Sequence, residues 1–176
     1  GIIKDKKFFY YLQKQADNIK NYEKQALSYI IKVSCDTKRK VVENDFKEQG
    51  ERALLNFGHT LGHAIEKYLY TDMLHGECVS VGMVGAAFLS WQKGYLSEYD
   101  RNEIIDLLKL YELPVSENRI CIENVLAATG SDKKMEGRKI KFIVTDEIGH
   151  SFVDQSVSLS EMKAALYDIA ENQTKI

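Results

Sequence analysis

Apolar residues recur at helical spacing through most of this chain. Phe8, Phe9, Leu12, Ala16 and Ile19 do so within residues 5–19, and Ala26, Ile30, Val33, Val41 and Val42 repeat the pattern within residues 22–47. Two opening helices are expected. Gln49-Gly50 interrupts the run, and a third helix is expected over 52–70, where Thr71-Asp72 can close one helix and lead into the next. Residues 75–92 are apolar on all sides, which places that helix among other elements and makes it the expected centre of the fold. Lys93-Gly94 ends it. Ser97 to Asp100 offers capping groups for a fifth helix with Ile104, Leu107, Leu108 and Leu110 on its apolar face, and Pro114 follows its end. A short helix over 122–128 leads to Thr129-Gly130-Ser131-Asp132, where the period changes. Residues 139–144 and 151–153 then read as the strands of a small hairpin around Glu147-Ile148-Gly149-His150, and a last helix spans about 160–171.

A chain of 176 residues with 44% hydrophobic content and one proline, Pro114, suits a single, mainly α domain, and no internal repeat or long linker divides it. The 24 basic and 26 acidic side chains nearly cancel, so no overall field recruits nucleic acid or an anionic membrane. Cys35, Cys78 and Cys121 are odd in number and widely spaced; they read as core side chains in a reducing cytoplasm. The apolar run after the N-terminal lysines is too short for a signal-peptide core, and the run from Cys78 to Leu89 falls well below the roughly 20 residues that span a bilayer.

The candidate chemistry lies between Glu51 and Glu77. On one continuous helix, Arg52, Asn56, His59 and His63 would fall within about 60° of one another and stack over roughly 16 Å. Glu66 adjoins that stripe, and Leu54, Phe57, Leu61, Ala64, Ile65 and Tyr68 cover the opposite side. An ordinary solvated face is usually Lys, Glu and Gln; this one holds two of the chain's four histidines, with Gly58 and Gly62 alongside. Each glycine costs about 1 kcal/mol of helix stability relative to alanine and so suggests close approach by a neighbour or ligand. Histidines four apart can aim at one cation, and His75 could supply a third imidazole. Thr60 stands where a zincin would carry glutamate, so the HxxxH pair leaves metal binding and a merely polar face both open. Lys38 and the pair Lys133 and Lys134 read alone as solvated charges; with Arg52 they would also suit phosphate and carboxylate groups. His150 reads as a turn residue.

The string from Arg52 to Glu66, Arg-Ala-Leu-Leu-Asn-Phe-Gly-His-Thr-Leu-Gly-His-Ala-Ile-Glu, followed by Leu74-His75-Gly76-Glu77, closely resembles the signature of the 3-dehydroquinate synthases. Further similarity runs through Cys35 to Val42, Val79 to Met83, Asp132-Lys133-Lys134 and Lys141 to Val144. The resemblance implies the C-terminal, multi-helix domain of a dehydroquinate synthase-like fold with a small β-hairpin. The family's N-terminal α/β nucleotide-binding half is not among these residues, and no glycine-rich nucleotide loop occurs. It also implies conversion of 3-deoxy-D-arabino-heptulosonate 7-phosphate to 3-dehydroquinate and phosphate, in the shikimate route to aromatic amino acids, with NAD and a divalent metal, zinc or cobalt. NAD would transiently oxidise one carbinol, phosphate would be eliminated, the ketone reduced again, and the ring opened and closed in an aldol step.

Carried over by position, His59 and His75 resemble two metal ligands, and His63 resembles the acid/base histidine beside the reacting hydroxyl and phosphate. Lys38, Arg52 and Asn56 resemble substrate-binding groups, and Lys133 or Lys134 a phosphate contact. The family's third ligand is a glutamate in an Ala-Glu-Val-Ile-Lys-type stretch, and Gly1-Ile2-Ile3 resembles what comes just after it. The expected partners are a phosphorylated sugar acid, the N-terminal half of the same enzyme and a second copy in a homodimer, in the cytoplasm. The isolated chain is expected to bind metal weakly and not to turn over. Three alternatives stand beside this: another sugar phosphate cyclase, which Asn56 with His63 disfavours; a glycerol dehydrogenase-type enzyme, which has no need of the cationic surround; and a non-catalytic helical binding domain.

Overall fold

The computed structural model describes residues 1–46, 50–70, 72–130 and 140–171. Helix α1 (Lys6–Lys14) begins where the Asp5 carboxylate accepts from Phe8 N at 2.9 Å, and it buries Phe8 and Phe9. The opening helix expected over 5–19 is split at Gln15, whose φ of -105° is not helical, and α2 (Ala16–Lys20) follows as a separate turn. Helix α3 (Lys24–Asn44) is capped by Glu23, which accepts from Ala26 N at 2.8 Å. Of its expected apolar stripe only Ala26 and Val41 are buried; Ile30, Val33 and Val42 are half-exposed.

The helix expected over 52–70 is two elements. Residues Glu51–Asn56 form a 3-10 segment, and α4 (His59–Leu69) starts afresh after Gly58, whose φ is +79°. Two local causes act. The Asp45 carboxylate accepts from both Gly50 N (2.7 Å) and Arg52 N (3.0 Å), which satisfies the amides that open the 3-10 segment. Gly58 then turns the chain through a backbone region that side chains rarely adopt.

Helix α5 (His75–Gln92) is the centre, as its all-round apolarity predicts. It separates two hydrophobic clusters. Cys78, Val81, Ala86 and Leu89 face one, shared with α4, α7 (Ile122–Gly130), the hairpin and α8 (Leu159–Glu171). Val84 and Ala87, on roughly the opposite side at about 100° per residue, face the other, shared with α1 and α6 (Glu98–Leu110). Ser97 caps α6 by accepting from Asp100 N at 3.0 Å. Leu110, expected on the apolar face of α6, is exposed.

Strands β1 (Phe142–Glu147) and β2 (His150–Asp154) pair antiparallel, with a register shift between Thr145 and Glu147. Ile140 and Lys141, expected in the first strand, precede it, and Lys139 lies outside the described residues. The hairpin is held from three sides. Thr145 N donates to the buried Ser90 Oγ at 3.0 Å, and Gly149 N donates to Ile2 O at 2.7 Å. Lys93 Nζ reaches Asp154 Oδ2 at 3.4 Å and Glu161 Oε1 at 3.1 Å, tying α5, β2 and α8 together. None of the described helices is long and apolar enough to cross a membrane. Of the three cysteines, Cys78 is buried and Cys121 half-buried; Cys35 is exposed on α3, not in the core, because α3 presents that side to solvent.

Candidate functional site

Glycine brings α4 and α5 together. A Cβ on Gly62 would stand 3.0 Å from the Cys78 carbonyl oxygen, and one on Gly82 only 2.1 Å from the Gly58 carbonyl oxygen. The glycines flanking the histidines therefore admit a neighbouring helix rather than a ligand. That approach places His75, the first residue of α5, over the histidine face of α4. The ring centroids of His59, His63 and His75 are 5.2, 5.7 and 5.5 Å apart pairwise. One ring nitrogen from each lies within 4.8 Å of the others.

His59 and His75 each hold a ring nitrogen beside an oxygen. His59 Nδ1 lies 3.2 Å from Phe57 O, and His75 Nδ1 lies 3.0 Å from Glu66 Oε2. An acceptor at Nδ1 draws the proton there and leaves the Nε2 lone pair for a Lewis acid. Nitrogens around a tetrahedral zinc, bound at about 2.0–2.1 Å, are about 3.4 Å apart. The three nitrogens, within 4.8 Å of one another, are close enough to be candidate donors to one ion, and imidazole suits zinc or cobalt.

Three clefts reach His59, and two of them carry further polar side chains. One, of about 310 Å³, is lined by Ala53, Asn56, His59, Thr60, His63, Lys141 and Ile143. The other, of about 400 Å³, is lined by Lys38, Val42, Arg52, Leu55, Asn56 and His59. Asn56 and His59 belong to both. The expected single stripe from Arg52 to His63 is corrected: only His59 and His63 share a helix, and the break at Phe57-Gly58 turns Arg52 toward Lys38. Arg52 also donates to Phe46 O at 3.3 Å. On the side expected to be buried, Leu54, Phe57, Leu61, Ala64 and Ile65 are buried, but Tyr68, near the C-terminal end of α4, is exposed. Lys133 and Lys134 lie outside the described residues.

Sequence reasoning overlooked Lys141 and gave Glu66 no role. Lys141 precedes four consecutive buried residues, Phe142 to Thr145, and that switch from charge to burial was the available signal. His150 opens β2 and pairs with Asp146, Nδ1 to Oδ1 at 2.6 Å, where burial's upward push on the Asp146 carboxyl is outweighed by its hydrogen bonds.

Residues 1–135 match the family model for the C-terminal region of 3-dehydroquinate synthase. Among curated proteins, the 3-dehydroquinate synthase of Acetivibrio thermocellus is 40% identical over 144 residues, covering 82% of this chain and 40% of that protein. That of Ruminiclostridium cellulolyticum is 38% identical over 170 residues, covering 97% of this chain and 47% of that protein. The chain spans about half the length of the curated relatives it matches. Among solved structures, 2-epi-5-epi-valiolone synthase from Streptomyces hygroscopicus, with NAD+ and Zn2+ bound, aligns with a TM-score of 0.84 at 22% identity over 97% of this chain and 48% of that one. A 2-deoxy-scyllo-inosose synthase complexed with carbaglucose-6-phosphate, NAD+ and Co2+ aligns at 0.70, also at 22% identity, over 82% of this chain and 41% of that one. The second pair establishes the fold alone, whereas the match through residues 1–135 contains the three converging histidines together with Asn56, Arg52 and Lys38; the chain belongs to the 3-dehydroquinate synthase C-terminal family.

Proposed function

We propose that this chain is the metal- and substrate-binding half of a 3-dehydroquinate synthase, converting 3-deoxy-D-arabino-heptulosonate 7-phosphate to 3-dehydroquinate and phosphate together with an N-terminal nucleotide-binding half. The observation that carries this reading is the meeting of three imidazoles with two clefts, one of them bearing Lys38 and Arg52.

His59 and His75 would hold the divalent metal, which supplies Lewis acidity toward the substrate hydroxyls. His63, which lines the first cleft, moves a proton to and from the reacting hydroxyl, work suited to an imidazole, whose ring nitrogens can each donate or accept. Lys38 and Arg52 hold carboxylate or phosphate oxygens, and Arg52 can do so with two parallel N–H donors. Asn56, common to both clefts, offers an acceptor and two donors where the hydroxyls would lie. Lys133 or Lys134 would add a phosphate contact. NAD belongs mainly to the N-terminal half, and two proteins of this fold carry NAD+ with Zn2+ or Co2+.

In the full-length protein, His59→Ala is expected to lose most of its bound metal while keeping the helical circular-dichroism spectrum of the unmodified protein. Metal analysis after gel filtration measures this, and unchanged metal content would return the histidine cluster to a merely polar surface.

A further inference from the structure

We propose that Glu66 is a positioning residue that aims His75 at the metal site. The inference rests on the reading of His59 and His75 as ligands. His59 and His75 are oriented by different means. His59 bonds to Phe57 O, two residues away, so its orienting group is fixed by the same backbone that fixes the ring. His75 is the first residue of α5, and its side chain is about half exposed. A neutral imidazole there can choose among rotamers and between two tautomers, and half of those choices present N–H, not a lone pair, to a metal.

Glu66 removes that freedom. It lies on α4 seven residues after His59 and three after His63, which at about 100° per residue puts all three on one side of the helix. Its Oε2 is 3.0 Å from His75 Nδ1. A carboxylate only accepts, so the proton sits on Nδ1 and Nε2 keeps its lone pair. The negative charge also makes that lone pair a better donor, an effect that outer carboxylates have on metal-bound histidine generally. Because the bond runs from α4 to α5, it sets the ligand of one helix relative to those of the other. An ordinary surface ion pair at this exposure would contribute at most about 1 kcal/mol to stability and leave metal affinity alone.

Zinc affinity measured by chelator competition on the full-length protein separates these roles, using Glu66→Gln, Glu66→Ala, His75→Ala and the double variant Glu66→Ala/His75→Ala. Glu66→Ala is expected to weaken zinc binding by about 10–100-fold with the fold retained, and Glu66→Gln, which keeps an acceptor oxygen, by less. The double variant should bind no more weakly than His75→Ala alone. Nitrogen-15 imidazole shifts of the metal-free protein should report His75 with its proton on Nδ1, and a mixed tautomer in Glu66→Ala. Unchanged affinity in Glu66→Ala, alongside a clear loss in His75→Ala, would overturn the positioning role while leaving the metal site standing. A further loss in the double variant would overturn it differently, by showing that Glu66 acts without His75. Unchanged affinity in His75→Ala would remove the ligand reading itself, and this inference with it.

Discussion

Single residues set the geometry of this protein where they lack a side chain as much as where they carry one. Gly82 faces the backbone of Gly58 and Gly62, and an added methyl would meet the Gly58 oxygen at 2.1 Å and the Gly62 nitrogen at 2.7 Å. Both neighbours are backbone, so relief requires α4 and α5 to separate. Gly82→Ala is therefore expected to destabilise the fold by about 2–3 kcal/mol, within the range of overpacked cores. A urea titration should show a lower midpoint with little change in slope, and an unchanged midpoint would mean the helices can part freely. Gly58 and Gly62 were legible in the sequence as sites of close approach. Which partner came close was not, because nothing local to α4 says that α5 returns across its face.

Elements are clamped by charge where the hairpin meets the helices. Burial alone would raise the Asp154 carboxyl, but hydrogen bonds from Ser156 and the nearby Lys93 ammonium outweigh it and hold it below the usual carboxylate range. Glu161 is held low by hydrogen bonds from Ser158 and then from Lys93. Burial pushes Lys93 down, yet Glu161 and Asp154 outweigh that and raise it. Carboxyls depressed in the folded state contribute stability that is complete at neutral pH and fades as pH falls below about 4. The Lys93 ammonium stays charged throughout that range, so protonation of the two carboxyls is what removes the pairing. Lys93→Met, which leaves two partly buried carboxylates without their cation, is expected to cost about 2 kcal/mol at pH 7 and distinctly less at pH 3. Thermal melts of both proteins at the two pH values measure this; an equal cost at both would assign the effect to packing.

At the scale of the whole molecule, α5 divides the interior into two hydrophobic clusters, and the imidazole site opens where its first turn meets α4. The chain aligns with about half of each similar protein, so turnover is expected only when an N-terminal nucleotide-binding half is present. The full-length protein should release phosphate from the heptulosonate phosphate at least 100-fold faster than from sedoheptulose phosphate or glucose phosphate, a preference on the order of 3 kcal/mol. Phosphate release assays on all three decide between the dehydroquinate branch and the other cyclases. A preference for sedoheptulose or glucose phosphate would reassign the chain to one of them, and appreciable turnover by these 176 residues alone would refute the need for a second half.

The sequence by itself determined the helical character, the central position of α5, the hairpin, and the residue types of the site, because hydrophobic period and residue chemistry are local properties written along the chain. Tertiary structure decided the rest. The break at Gly58 turned one expected stripe into two clefts, since the Asp45 carboxylate and a left-handed glycine outweigh a helical period that runs through both elements. Tyr68 and Cys35 are exposed although their residue types suit a core. Lys141 joined the histidines across more than 70 residues of chain, and Glu66 met His75 only because two helices pack glycine to glycine. Proximity between residues far apart in sequence depends on how whole faces bury one another, and no local pattern carries that information.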